Sequence, residues 1–174
     1  MSIIPVRKNM EGAKGLEHVL AIDYEKCTGC RNCELACSVA HYNEFSPSRA
    51  RIQVIKQETR NIVAPVVCLQ CASPLCQKAC PNEAIVKNEY GILYVKSDTC
   101  IGCGNCVAAC VYGGITIDPK TKKAIKCDHC SGDPACAKAC EYGAITYETK
   151  DGLQVRHKGT ESVMSIVVPL MEDE

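Results

Sequence analysis

Apolar positions in this chain come in short bursts rather than in long periodic stretches. His18–Asp23 (His-Val-Leu-Ala-Ile-Asp) reads as a short strand, and Gly91–Val95 as another. Arg51-Ile52-Gln53-Val54-Ile55-Lys56 alternates polar and apolar, the period of a strand with one covered face. It lies within His41–Pro65, which reads as an inserted loop and strand. Asn82-Glu83-Ala84-Ile85, Tyr112-Gly113-Gly114-Ile115 and Tyr142-Gly143-Ala144-Ile145 each lead into a further short strand. Turn residues at Asn88–Gly91 and at Lys150-Asp151-Gly152 then predict hairpins. Glu34-Leu35-Ala36, Gln77-Lys78-Ala79, Val107-Ala108-Ala109 and Ala137-Lys138-Ala139 predict single helical turns, since alanine is a small helix former.

The ends behave differently. Residues 1–17 show no clear period and read as an extension, with an arm that docks on a partner as the alternative. Val163, Met164, Ile166, Val167, Val168, Leu170 and Met171 make an apolar tail ahead of Glu172-Asp173-Glu174. That tail is expected to pack across a subunit interface or back onto the insert strand; a final strand of the domain is the competing reading.

What separates the bursts is cysteine, sixteen in 174 residues. Cys27, Cys30, Cys33 and Cys37 repeat the C-x-x-C-x-x-C-x-x-x-C spacing that bacterial ferredoxins use to hold a cubane iron–sulfur cluster. Cys100, Cys103, Cys106 and Cys110 repeat it again. Two further runs are stretched in the middle: Cys68, Cys71, Cys76 and Cys80, and Cys127, Cys130, Cys136 and Cys140. Both carry a proline two residues before the third cysteine, Pro74 and Pro134, which stiffens the longer loop. No cysteine is left over, so the pattern predicts four 4Fe–4S clusters. In two-cluster ferredoxins the fourth cysteine of a run ligates the neighbouring cluster.

Two rivals use the same residue type. A disulfide framework needs an oxidising compartment, whereas Met1–Leu20 has no secretion signal, which predicts a cytoplasmic location. Structural zinc uses two cysteine pairs across a longer spacer and has no use for a third and fourth thiol at these intervals.

Composition sharpens the picture. One Phe and no Trp remain to fill a core, so the clusters themselves must occupy much of the interior and folding should depend on metal. Formal net charge is zero; four clusters with their thiolates would bring it to roughly −8. There is no basic nucleic-acid footprint and no apolar run long enough to span a membrane. Dinucleotide fingerprints, P-loops and spare nucleophilic cysteines are absent, and no catalytic residue is assigned. His18, His41, His129 and His157 are scattered and read as surface or structural. Tyr24, Tyr90, Tyr94, Tyr112 and Tyr142 lie near the runs and are expected to shield clusters from water.

The four runs, their regular–stretched alternation, the two prolines and Lys126-Cys127-Asp128-His129-Cys130 resemble the four-cluster ferredoxin subunits of multisubunit oxidoreductases, over about residues 18–150. The resemblance implies an α+β fold of two bacterial-ferredoxin-like units, with short helices and β-hairpins around the clusters. The outer unit would be residues 18–58 with 116–154 and the inserted unit 59–115, leaving 1–17 and 155–174 as extensions. It also implies nested ligand sets: Cys27, Cys30 and Cys33 with Cys140; Cys127, Cys130 and Cys136 with Cys37; Cys68, Cys71 and Cys76 with Cys110; Cys100, Cys103 and Cys106 with Cys80. Spacing alone leaves nested and sequential pairing open.

The function implied is a wire rather than a catalyst: a subunit that relays single electrons between a catalytic subunit and another redox partner. The opening Cys-Thr-Gly-Cys-Arg-Asn-Cys-Glu-Leu-Ala-Cys resembles subunits that accompany tungsten or molybdenum enzymes of the aldehyde oxidoreductase type, among them the tungsten benzoyl-coenzyme A reductases of anaerobic metabolism. A flavin subunit or a ferredoxin is the expected second partner, with self-association left open. The alternatives are an electron carrier for a hydrogenase or carbon monoxide dehydrogenase and, further off, an iron–sulfur sensor or maturation factor.

Overall fold

The computed structural model describes residues 18–60 and 62–149. The leading segment, the Lys150-Asp151-Gly152 turn, the apolar tail and His157 lie outside them. Helices and strands mix along the chain: β1 (His18–Ile22), α1 (Asn32–Tyr42), β2 (Ile52–Gln57), β3 (Ile62–Val67), α2 (Leu75–Lys78), β4 (Ile85–Lys87), β5 (Leu93–Val95), α3 (Asn105–Ala108), β6 (Ile115–Ile117), β7 (Ala124–Lys126), α4 (Ala135–Lys138) and β8 (Ile145–Thr149). No helix among the described residues is long and apolar enough to cross a membrane.

These strands pair two at a time, in four separate antiparallel ladders. β2–β3, β4–β5 and β6–β7 are hairpins of neighbouring strands. The β4–β5 turn is built by Asn88, whose Oδ1 accepts the N–H groups of Tyr90 at 3.0 Å and Ile92 at 2.9 Å, while Gly91 takes a φ of 75° that favours glycine. Among the described residues β8 pairs with a strand far away in sequence. Its partner is β1, with His18 opposite Thr149 and Ile22 opposite Ile145, so the two outermost described strands close on each other.

α1 is also longer than the single turn expected, at eleven residues. Helix-compatible residues continue past Cys37 until Asn43, which enters the left-handed region at φ 53° and donates its N–H to the Val39 carbonyl at 2.9 Å, a common way to stop a helix. β2 keeps its alternation: Ile52 and Val54 are buried while Gln53 is exposed.

The interior is two small buried groups. One joins Cys33, Cys37, Ile52, Val54, Cys127 and Ile145; the other joins Cys76, Ile85, Leu93, Cys106, Ile115 and Ala124. Thiols make up a large part of both. Three-residue strands and four-residue helices bury little apolar area by themselves, which leaves a fold of this size short of core.

Candidate iron–sulfur sites

The helices place the thiols in a repeated way. The third cysteine of every run is the second residue of a helix: Cys33 in α1, Cys76 in α2, Cys106 in α3 and Cys136 in α4, and all four are buried. The fourth cysteine lies one helical turn on, inside α1 for Cys37 and just past the helix end for Cys80, Cys110 and Cys140. Ahead of each helix the run loops tightly. Gly102 has φ 71°, and a Cβ there would stand 2.0 Å from the Lys122 carbonyl oxygen, so only glycine fits this turn.

Three cavities collect the thiols. Cys80, Cys100, Cys103 and Cys106 line one of about 340 Å³. Cys27, Cys30, Cys33 and Cys140 line a second of about 320 Å³. Cys68, Cys71, Cys76 and Cys110 line a third of about 300 Å³. In each, three thiols come from one run and one from a distant run. Of the remaining cysteines, Cys37, Cys127 and Cys136 belong to one buried group, and Cys130 feels the charge of Cys37 while Cys136 feels that of Cys130 and Cys37.

This donor arrangement fits cubane clusters better than single ions. All sixteen cysteines are free thiols. A tetrahedral zinc with Zn–S bonds near 2.3 Å brings its sulfurs to roughly 3.8 Å of one another. Among the described residues, the one group of three ligating atoms all within 4.8 Å of each other is His41, Asp128 and Cys130, so no three thiols stand as close together as the ligands of one zinc do. Backbone N–H groups also point at sulfur: Arg51 to Cys37 at 3.3 Å, Gln70 to Cys68 at 3.4 Å, Ala84 to Cys80 at 3.3 Å and Ala124 to Cys100 at 3.4 Å. Such donors stabilise thiolate and cluster charge.

Without metal these thiols hold their protons. Burial pushes Cys33 up to about 12, with the Glu34 carboxylate adding to it, and pushes Cys136 to about 12. It takes Cys106 and Cys130 to about 11 and raises Cys127 well above the usual thiol range. Iron must displace those protons on binding.

Several residues near the thiols were not singled out by spacing. His41 donates from Nε2 to Asp128 Oδ1 at 3.0 Å and from Nδ1 to the Cys37 carbonyl at 2.8 Å. Burial alone would depress it, but the Asp128 and Cys37 hydrogen bonds raise it to about 9. Arg51 occupies the other oxygen of Asp128 at 2.5 Å, so His41, Asp128 and Cys130 belong to an ion-pair network rather than a cation site. His129, which read as surface or structural, is buried and packs edge-on against Tyr147. Tyr112 and Tyr142 line two of these three cavities, and Tyr24, Tyr90 and Tyr94 stand outside the three linings.

Comparison with known proteins decides the family. The 4Fe-4S dicluster domain matches residues 59–132 and the 4Fe-4S binding domain matches residues 20–40. YsaA of Escherichia coli (strain K12), provisionally named an electron transport protein, is 36% identical over 116 residues, 63% of this chain and 72% of YsaA. The chain belongs to the ferredoxin-like iron–sulfur electron-transport family. Within that family, a selenate reductase subunit from Mesobacillus selenatarsenatis is 37% identical over 109 residues, 59% of this chain and 37% of that protein. The chain thus spans about a third of the length of this larger family member. Among solved structures, the active site complex BamBC of benzoyl coenzyme A reductase with benzoyl-CoA contains a chain aligned at TM-score 0.47 and 24% identity, covering 89% of this chain and 96% of that one. A likeness of that degree carries no argument about partner or substrate.

Proposed function

We propose that this chain is the electron-transfer subunit of an oxidoreductase complex. It holds four 4Fe–4S clusters in the nested sets and relays single electrons in the cytoplasm. The catalytic partner is a tungsten or molybdenum enzyme of the aldehyde oxidoreductase type, and the second partner a flavin subunit or a ferredoxin. The observation that carries the reading is the meeting, at each of three cavities, of three thiols from one run with a fourth from another. When bound, the clusters supply sites that take up and release one electron each.

The chain's own residues do the rest. The thiolates fix the clusters, and backbone N–H groups of Arg51, Gln70, Ala84 and Ala124 offset negative charge on sulfur. Leu69, Ile101 and Tyr142, large side chains more than half exposed, line the three cavities and limit water there. The closing of β1 on β8 and the separation of two buried groups support an outer unit around an inserted one, with junctions shifted from those expected at 58/59 and 115/116, since Val67 of β3 packs in the outer group and Ala124 of β7 in the inner one. The tungsten or molybdenum partner is supported by the resemblance of the opening run, and a catalytic partner in general by relatives such as the Mesobacillus selenatarsenatis protein, named as part of a selenate reductase.

The test is anaerobic isolation of the native complex with metal analysis. The expected result is about sixteen irons per chain, four for each of four cubanes, with tungsten or molybdenum in a large companion. Nickel in the companion would instead indicate a hydrogenase or carbon monoxide dehydrogenase carrier. Iron without any companion would overturn the subunit role, and zinc would overturn the cluster assignment.

A further inference from the structure

Lys126 closes β7 and is only 2% exposed. Its Nζ donates to the Leu93 carbonyl at 3.1 Å, and no carboxylate lies within ion-pair distance of it among the described residues. A buried ammonium with one neutral acceptor is unfavourable unless an anion offsets it. Lys126 lines the cavity of Cys68, Cys71, Cys76 and Cys110, and its charge is felt at both Cys71 and Cys76.

Among the described residues, no other thiol set has a buried cation without a carboxylate; Lys56, which lies against Gly29 between Cys27 and Cys30, is exposed. The lining of the Cys80, Cys100, Cys103 and Cys106 cavity contains no charged side chain. At the Cys27, Cys30, Cys33 and Cys140 cavity, Lys26 pairs with Asp23 at 2.7 Å and Arg31 with Glu34 at 3.7 Å. Both cations there are half exposed, and the buried charge beside Cys33 is the Glu34 carboxylate, of opposite sign. Around Cys37 and Cys130, Arg51 and His41 share the single carboxylate of Asp128, two cations to one anion, each of them paired with it.

We propose that Lys126 is the resident counter-charge of the cluster on Cys68, Cys71, Cys76 and Cys110 and favours its reduced state. This rests on the ligand sets of the proposed function. Reduction adds one negative charge, and a buried ammonium favours the more negative state through an attraction that solvent and salt hardly screen. Gln70 is the positioning residue. Its Nε2 donates to the same Leu93 carbonyl at 3.2 Å and to the Cys127 carbonyl at 2.7 Å, and its Oε1 accepts the Leu93 N–H at 2.8 Å. That brace holds the carbonyl on which Lys126 rests and ties the Cys68 loop to the Cys127 loop.

The test is an EPR-monitored redox titration of anaerobically purified holoprotein, with iron counted first. If the native chain does not hold four clusters, the functional reading fails before this inference is reached. With four loaded, Lys126→Gln keeps an N–H donor for Leu93 but removes the charge. The expected result is a lower midpoint for one of the four signals alone, its reduced-to-oxidised ratio at the native midpoint falling on the order of tenfold or more. Lys126→Arg should restore it. Cys110→Ser, introduced by itself, must alter the spectrum of that same signal. No signal moved by Lys126→Gln, four signals moved alike, or a moved signal indifferent to Cys110→Ser would each overturn the proposal.

Discussion

Arg49 grips both oxygens of Asp118, Nε to Oδ1 and Nη2 to Oδ2 at 2.9 Å each, across 69 residues of sequence. The pair fastens the segment after α1 to the β6–β7 turn, where Asp118 also accepts the Thr121 hydroxyl at 2.8 Å and the Lys120 N–H at 3.0 Å. The Arg49 guanidinium holds the Asp118 carboxyl well below the usual carboxylate range. A group depressed on folding contributes stability above its unfolded value, near 3.9, and loses it as pH falls through the folded one. Asp118→Asn should therefore lower the melting midpoint at pH 7 by on the order of 5 °C. The gap between variant and native chain should hold steady above about pH 5 and narrow below about pH 4. Melting curves of both proteins over that range decide it.

Gly114 is a site of close approach. A Cβ there would stand 2.6 Å from Cys68 Cα and 2.9 Å from Cys68 N, backbone atoms with no rotamer to yield. Gly114→Ala is expected to push the Cys68 loop aside, destabilising by about 1–3 kcal/mol. Iron per chain should fall by about one cluster's worth, four atoms, while the β1–β8 end keeps its thiols in place. Unchanged iron and stability would mean that the loop has slack the geometry does not suggest.

Gln70 has φ 50°, a left-handed conformation that its hydrogen bonds must hold. Gln70→Leu would leave the Cys127 carbonyl and the Leu93 N–H buried without the side chain that satisfies them. The expected loss is about 1–3 kcal/mol for each such group, read as a lower denaturation midpoint of the anaerobic holoprotein. Gln70→Glu should recover only the Leu93 N–H contact.

Iron removal should unfold much of the chain. Cys33, Cys37, Cys127 and Cys136 sit in one buried group and Cys76 and Cys106 in the other, so stripping the metal leaves protonated thiols around cavities instead of a core. Chelation under reducing conditions should abolish the cooperative thermal transition and broaden the amide spectrum. A sharp transition in the stripped chain would show that the short ladders suffice.

Local features were legible because local chemistry sets them. The strand at His18, the Asn88 turn and the alternation of β2 follow from period and turn residues. Partners far apart in the chain were not. Period two marks Ile145–Thr149 as strand but cannot say that β1 completes it. His41 read as surface or structural, but its partner could not be named, because Asp128, which holds it, is 87 residues away. Lys126 stood out only as the first residue of the Lys126–Cys130 stretch; its burial depends on all three residues of β7 being covered, which no alternation announces. The glycine at 114 carries no signal beyond its type, since its constraint is the backbone of another run.

The pairing of β1 with β8 has a consequence for biosynthesis. During translation, at roughly 5–20 residues per second, the strand at His18 and the thiols at Cys27, Cys30 and Cys33 emerge early, yet their counterparts, Ile145–Thr149 and Cys140, come more than a hundred residues later. For several seconds the nascent chain carries an open strand edge and three reactive thiols with no partner. The inner hairpins, by contrast, can close as they appear. Assembly of this protein is thus a race between completing the polypeptide and protecting its first metal-binding loop, and the loop made first is the last to be finished.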